Sequence, residues 1–120
     1  GFGTRLEQHN PRLRAWLLNA AQSAQRVMSV CSGALIMAQS GLLDGKKATT
    51  HRGAYGELRA IGRDIEVIED VKYVDTGKVI SSGGISAGID MALTVVGQTL
   101  SFEVAQQTAD YMEYDWRAPE

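Results

Sequence analysis

Apolar positions recur at helical spacing in some stretches of this chain and gather into short runs in others, and the two patterns take turns along it. Leu13, Trp16, Leu17, Ala20 and Ala24 fall on one helical face. They follow Asn10-Pro11, a capping residue with proline at the first helical position, so a helix over residues 11–24 is predicted. Residues 27–30 form a short apolar run that reads as a buried strand. Ala34-Leu35-Ile36-Met37-Ala38 is apolar nearly all round and predicts a buried helix ending near Gly41. Beyond a turn at Asp44-Gly45 come a short strand over 47–50 and a short helix over 54–61, stopped by Gly62. Residues 65–68 and 71–74 read as strands, and a turn at Thr76-Gly77 leads to another over 79–82. Ser86 is expected to cap a helix carrying Ile89, Ala92, Leu93 and Val96. A last helix places Phe102, Ala105, Ala109 and Met112 on one face, and the tail over 114–120, with its two aromatics, is expected to be ordered. This alternation predicts an α/β fold with a largely parallel sheet. No repeat or second domain is visible.

Composition narrows the classes of function. The 120 residues suffice for one domain with one core, and 12 basic against 14 acidic residues leave a net charge of −2. No basic stripe points to nucleic acid. No apolar run approaches the ~20 residues of a membrane span, and no charged-then-apolar pattern marks a secretory signal in these residues, so none is expected. The lone cysteine cannot form an internal disulfide, which fits a cytoplasmic setting. The chain opens Gly1-Phe2-Gly3-Thr4-Arg5, a glycine loop without the preceding strand such loops usually follow. Residues 1–120 are therefore expected to be the C-terminal part of a single domain, with at least one N-terminal strand missing.

Two segments have the form of a nucleophile elbow. One is Ser29-Val30-Cys31-Ser32-Gly33, the other Gly84-Ile85-Ser86-Ala87-Gly88. An elbow needs small residues two before and two after the nucleophile, because the turn brings backbones together. Serine also needs a base, and in hydrolases built on this elbow the histidine follows the serine. His9 and His51 both precede Ser86. A thiol needs less help at a helix N-terminus, which favours the thiolate. Cys31 is thus the better nucleophile; the alternative is a small buried core residue. Ser86 reads as a helix cap and Gly83-Gly84 as a loop of close approach.

His51 ends the run Ala48-Thr49-Thr50 at the strand edge where open α/β sheets place their sites. It reads equally as an auxiliary group near Cys31 or as a structural histidine. His9 reads as a surface residue. The N–H groups of the Gly1-Phe2-Gly3 loop, with Gly3 foremost, and those of Ser32 and Gly33 are candidate oxyanion donors. Glu57, Asp64, Asp90 and Asp110 read as solvated or capping carboxylates. No Cys/His cluster has metal-ligand spacing, so no metal is expected.

Val30-Cys31-Ser32-Gly33-Ala34, the run from Gly41-Leu42-Leu43-Asp44-Gly45 to Thr49-Thr50-His51, and Ser81-Ser82-Gly83-Gly84-Ile85-Ser86-Ala87-Gly88-Ile89-Asp90 together resemble the ThiJ/PfpI superfamily, over residues 1–116. Gly-Ile-Ser-Ala-Gly-Ile-Asp and the ending Met112-Glu113-Tyr114-Asp115 tilt the resemblance toward its isocyanide hydratase branch. The amidase-like domains of AraC-type regulators share the Thr-Thr-His segment. The resemblance implies a flavodoxin-like three-layer sandwich, a homodimer, a small-molecule substrate and no cofactor. It implies Cys31 as the nucleophile, with Ser32 keeping the hydroxyl that follows the cysteine in the hydratase branch. Gly84 and Ile85 would shape the pocket. The histidine that follows the cysteine in protease- and glyoxalase-like branches is absent here. An acidic partner to the thiol is implied upstream of Gly1. The expected activity is water addition to an isocyanide. The alternative is a redox-sensing or regulatory module of the same superfamily.

Overall fold

Asn10 turns the chain into a helix by satisfying two of the N–H groups that a helix start leaves free. Its Oδ1 accepts from Arg12 N at 3.0 Å and Leu13 N at 3.4 Å, and Pro11 needs no partner. The computed structural model describes residues 1–119. In chain order it contains α1 (Thr4–Glu7), α2 (Pro11–Ser23), β1 (Val27–Ser29), α3 (Ala34–Gln39), β2 (Lys47–Ala48), α4 (Tyr55–Ile61), β3 (Glu66–Val67), β4 (Tyr73–Asp75), β5 (Val79–Ser82), α5 (Ser86–Thr99) and α6 (Phe102–Tyr111). Single 3-10 turns at Cys31–Gly33 and Arg52–Ala54 lead into α3 and α4.

The strands pair in mixed orientations, so the largely parallel sheet that the alternation predicts holds only in part. β1 pairs with β5 in parallel, with Met28 opposite Ile80, and β2 pairs with β3 in parallel. β4 and β5, however, run antiparallel, with Val74 opposite Ser81. The cause is the short connection at Thr76-Gly77. Thr76 donates to Val79 O from both its N–H, at 3.0 Å, and its hydroxyl, at 2.7 Å. Gly77 takes φ +96°. A turn this short reverses the chain, whereas a parallel return needs a crossover of roughly a dozen residues. β4 also starts later than residue 71, and Val71 itself is exposed.

Two cores hold these elements. Ala34, Leu35, Met37 and Ala38 of α3 are buried against Leu58 of α4, Val27 of β1 and Val79 of β5. Leu17 of α2 packs on the same cluster, whereas Trp16, placed on that face by periodicity, is 65 % exposed. The second core joins Leu93 of α5 to Ala105 and Ala109 of α6 and is closed by Trp116, 5 % exposed. Phe102 and Met112 lie largely outside it.

The tail is ordered where it is described; Glu120, also expected to be ordered, lies outside the described residues. Tyr114 donates its hydroxyl proton to Asp90 Oδ2 at 2.9 Å, with Ser86 O at 3.1 Å, and Gln106 Nε2 donates to Trp116 O at 3.3 Å. Burial, then the hydrogen bond to Asp90, raises the Tyr114 hydroxyl above its ordinary pKa. Asp90 is consequently buried and bonded rather than solvated, with Lys72 Nζ at 3.5 Å from its other oxygen. Across the molecule, Arg26 bonds Asp75 at 2.9 Å and Gln98 at 2.8 Å, tying the start of β1 to β4 and α5. No helix among the described residues is long and apolar enough to cross a membrane.

Candidate active site

Strand β1 ends in extended backbone at Val30, and the next residue, Cys31, takes φ +58° before the 3-10 turn into α3. This left-handed conformation is costly for a residue with a side chain, on the order of 1–2 kcal/mol. Neighbouring backbone holds it in place. Cys31 N donates to Gly83 O at 3.0 Å, and the hydroxyl of Thr50 donates to Cys31 O at 2.8 Å. The C-terminal ends of β1 and β5 and the segment after β2 thus converge on one residue. The corner brings its two small flanks together: a β-carbon at Gly33 would lie 3.8 Å from Ser29 Cβ, an ordinary contact distance, so the approach does not itself require glycine. Cys31 is a half-buried free thiol.

The donors predicted around the thiol are arranged differently. Gly33 N already donates to Val30 O at 3.0 Å, closing the 3-10 turn, so it is engaged. The Ser32 hydroxyl is buried, with Thr4 Oγ1 and Gly1 O each at 3.2 Å. It ties the N-terminal segment to the corner, at the wall of the thiol's cavity. Gly3 caps α1 with its carbonyl, which accepts from Leu6 N and Glu7 N. Gly1 and Phe2, not Gly3, line the cavity.

That cavity has a volume of about 320 Å³ and is walled by Phe2, Arg5, Cys31, Ser32, His51 and Gly53, largely with apolar surface. His51 Nδ1 accepts from Gly53 N at 2.9 Å. A neutral His51 therefore carries its proton on Nε2 and is a donor there. The same ring borders a second cleft of about 460 Å³, whose walls include Tyr55, Lys72, Gly84, Ile85 and Ser86. Gly84 and Ile85 thus face this second cleft. Ile85, not Ser86, is the N-cap of α5; it has φ +34°, makes no side-chain cap bond and is 81 % exposed. Ser86 falls inside the helix as its first residue, because the chain enters α5 from the strained Ile85.

One residue given no part in the chemistry by the sequence reading, Arg5, lines the thiol's cavity, and a second, Glu57, holds it. Arg5 reaches across from α1 to Glu57 of α4, with Nε to Oε2 at 3.1 Å and Nη2 to Oε1 at 2.8 Å. The hydrogen bond to Glu57 is the main reason the Arg5 guanidinium sits above its ordinary pKa; burial opposes it, and the nearby thiol acts in the same direction as Glu57. Glu57 is thus an ion-pair partner at the edge of the site. The motif Gly-Phe-Gly-Thr-Arg was the available signal for Arg5, but its contact with Glu57 spans 52 residues. Among the described residues, no three His, Cys, Asp or Glu side chains gather closely enough to hold a metal ion.

A cysteine at a strained strand-to-helix corner, beside a small mostly apolar cavity, can attack an electrophilic carbon. Known proteins share the frame. Residues 1–98 match the model of the DJ-1/PfpI family. The chain is 38 % identical over 99 residues to isonitrile hydratase of Pseudomonas putida, a match covering 82 % of this chain and 42 % of that protein. It is 27 % identical over 100 residues to the HTH-type transcriptional regulator CdhR of Pseudomonas aeruginosa, covering 83 % of this chain and 30 % of the regulator. The crystal structure of a ThiJ/PfpI family protein from Pseudomonas syringae superposes with a TM-score of 0.85 at 29 % identity, over 98 % of this chain and 48 % of that one. The chain spans less than half the length of each of these relatives. By its family match and its fold, the chain belongs to the DJ-1/PfpI family.

Proposed function

We propose that this protein is a cysteine-dependent hydratase acting on isocyanides. The observation that carries the reading is the left-handed Cys31 corner, clamped by Gly83 and Thr50 at the mouth of a small apolar cavity. Similarity to an isonitrile hydratase supports it. The Cys31 thiolate adds to the terminal carbon of R–N≡C, forming a C–S bond, and that carbon takes up a proton to give a thioimidate, R–N=CH–S–Cys31. Water adds to the same carbon. The C–S bond then breaks and returns the thiol, while nitrogen keeps one proton and the product leaves as R–NH–CHO. The Ser32 N–H is the backbone donor beside the sulfur in this scheme, since Gly33 N is engaged. His51 Nε2–H supplies a hydrogen bond at the cavity wall. The carboxylate that moves protons is assigned to the part of the protein preceding Gly1.

We read the described strands as part of a flavodoxin-like three-layer sandwich, and the protein as a cytoplasmic homodimer, on the family resemblance. The test of the activity is formamide production from an alkyl isocyanide by the full-length protein and by Cys31→Ser. Formamide release that falls to background in the variant supports the covalent route; undiminished turnover removes it. Similarity to the regulator CdhR supports a second reading, a ligand- or redox-sensing module. It is favoured if no isocyanide turns over and mild peroxide converts Cys31 stoichiometrically to sulfinic acid.

A further inference from the structure

Arg5 is held as a rigid fork beside the thiol. Its guanidinium has five N–H donors. Two point to Glu57 and one, from Nη1, to Gly1 O at 3.2 Å. The remaining N–H bonds, one on each terminal nitrogen, have no partner among the described residues. The Arg5 side chain is 37 % exposed and walls the same cavity as Cys31 and Phe2. Glu57 balances the charge of Arg5 at long range, so what the cavity meets is the short-range donor capacity of the guanidinium, a group suited to carboxylates. A cavity of this size, mostly apolar with one guanidinium in its wall, suits a small ligand with an apolar body and a single anionic end.

We infer that Arg5 is the specificity-determining residue of the Cys31 cavity and selects small electrophiles that carry a carboxylate. This rests on Cys31 being the reactive group. Arg5 acts on the ligand's distal oxygens, at hydrogen-bond range, while the electrophilic carbon lies at the sulfur. Glu57 positions Arg5 and does not touch the ligand.

The experiment compares alkylation of Cys31 in the full-length protein by iodoacetate, which carries a carboxylate, and by iodoacetamide, its neutral counterpart. Each rate is scaled to that of a small free thiol under the same conditions and located by mass spectrometry. The wild type is expected to favour iodoacetate on the order of fivefold, the effect of one charge contact near water. Arg5→Gln is expected to abolish that preference, bringing the iodoacetate-to-iodoacetamide ratio down to that of the free thiol. Arg5→Lys, which keeps the charge but not the fork, is expected to fall between. Where Arg5→Gln does not fold, competition in the wild type decides: acetate slows iodoacetamide labelling and acetamide does not. An unchanged ratio in Arg5→Gln, or equal protection by acetate and acetamide, overturns the role of Arg5 while leaving Cys31 reactive. Failure of both reagents to label Cys31 overturns this inference together with the nucleophile reading.

Discussion

Gly84 lies so close to His51 that a β-carbon on it would fall 2.6 Å from the ring's Cδ2. The ring can move away only by giving up the Gly53 N–H that its Nδ1 accepts. The missing side chain at Gly84 therefore sets where the imidazole stands between the two clefts. Gly84→Ala is expected to displace the ring, break the Nδ1 contact and cost about 1–3 kcal/mol through overpacking. The ring's ¹⁵N shifts should lose the signature of an accepting Nδ1, and urea unfolding should shift to lower midpoint. An unchanged ring spectrum would show that the loop, not the histidine, yields.

Cys31 stores strain that a glycine would not. Cys31→Gly removes a left-handed cost of about 1–2 kcal/mol and adds back roughly 0.5–1 kcal/mol of unfolded-chain entropy. The expected result is a gain of up to about 1 kcal/mol in urea unfolding with complete loss of alkylation at residue 31. A variant less stable than the wild type would mean that the thiol's packing outweighs its backbone.

Asp75 ties pH to stability. Burial alone would raise its pKa, but hydrogen bonds from Gly77 N, Gln98 and Arg26, with the charge of Arg26, outweigh burial and hold it below the ordinary value. A carboxylate depressed in the folded state contributes stability that is fully present above its unfolded value, about 3.9, and is lost as pH falls through the folded value. The wild type should therefore lose stability below about pH 4 more steeply than Asp75→Asn, measured as unfolding midpoint against pH. Parallel acid limbs would remove Asp75 from the account.

Asn10 can be tested by its own contacts. Asn10→Ala leaves the Arg12 and Leu13 N–H groups without their side-chain acceptor and should cost about 0.5–2 kcal/mol, whereas Asn10→Ser or Asn10→Asp should cost little. A loss shared equally by all three would point to the Asn10–Glu7 contact at 2.9 Å instead.

Local patterns made much of this fold legible. Asn10-Pro11 marks the start of α2, the apolar run after Cys31 marks a buried α3, and small residues at 29 and 33 mark the corner between strand and helix. These are properties of neighbours in sequence. What escaped was set by partners far along the chain. Asp90 reads as a solvated helix carboxylate until Tyr114, from the tail, covers it. Glu57 reads as a solvated or capping carboxylate until Arg5 of α1 reaches it. Trp16 shows the converse: its helical spacing is apolar, yet nothing packs over it. The identity of the candidate nucleophile lay in local spacing; the donors around it depended on which N–H groups the turn itself consumes.

The two tryptophans stand in opposite surroundings, Trp16 in solvent at 65 % exposure and Trp116 sealed between α5 and α6 at 5 %. Excited at one wavelength, the native protein should emit as the sum of a red, readily quenched component and a blue, shielded one. Iodide would extinguish the first and spare the second. Detachment of the tail from α5 and α6 would then be visible as a red shift of the shielded component alone, an optical clock for that event while the rest of the molecule remains folded.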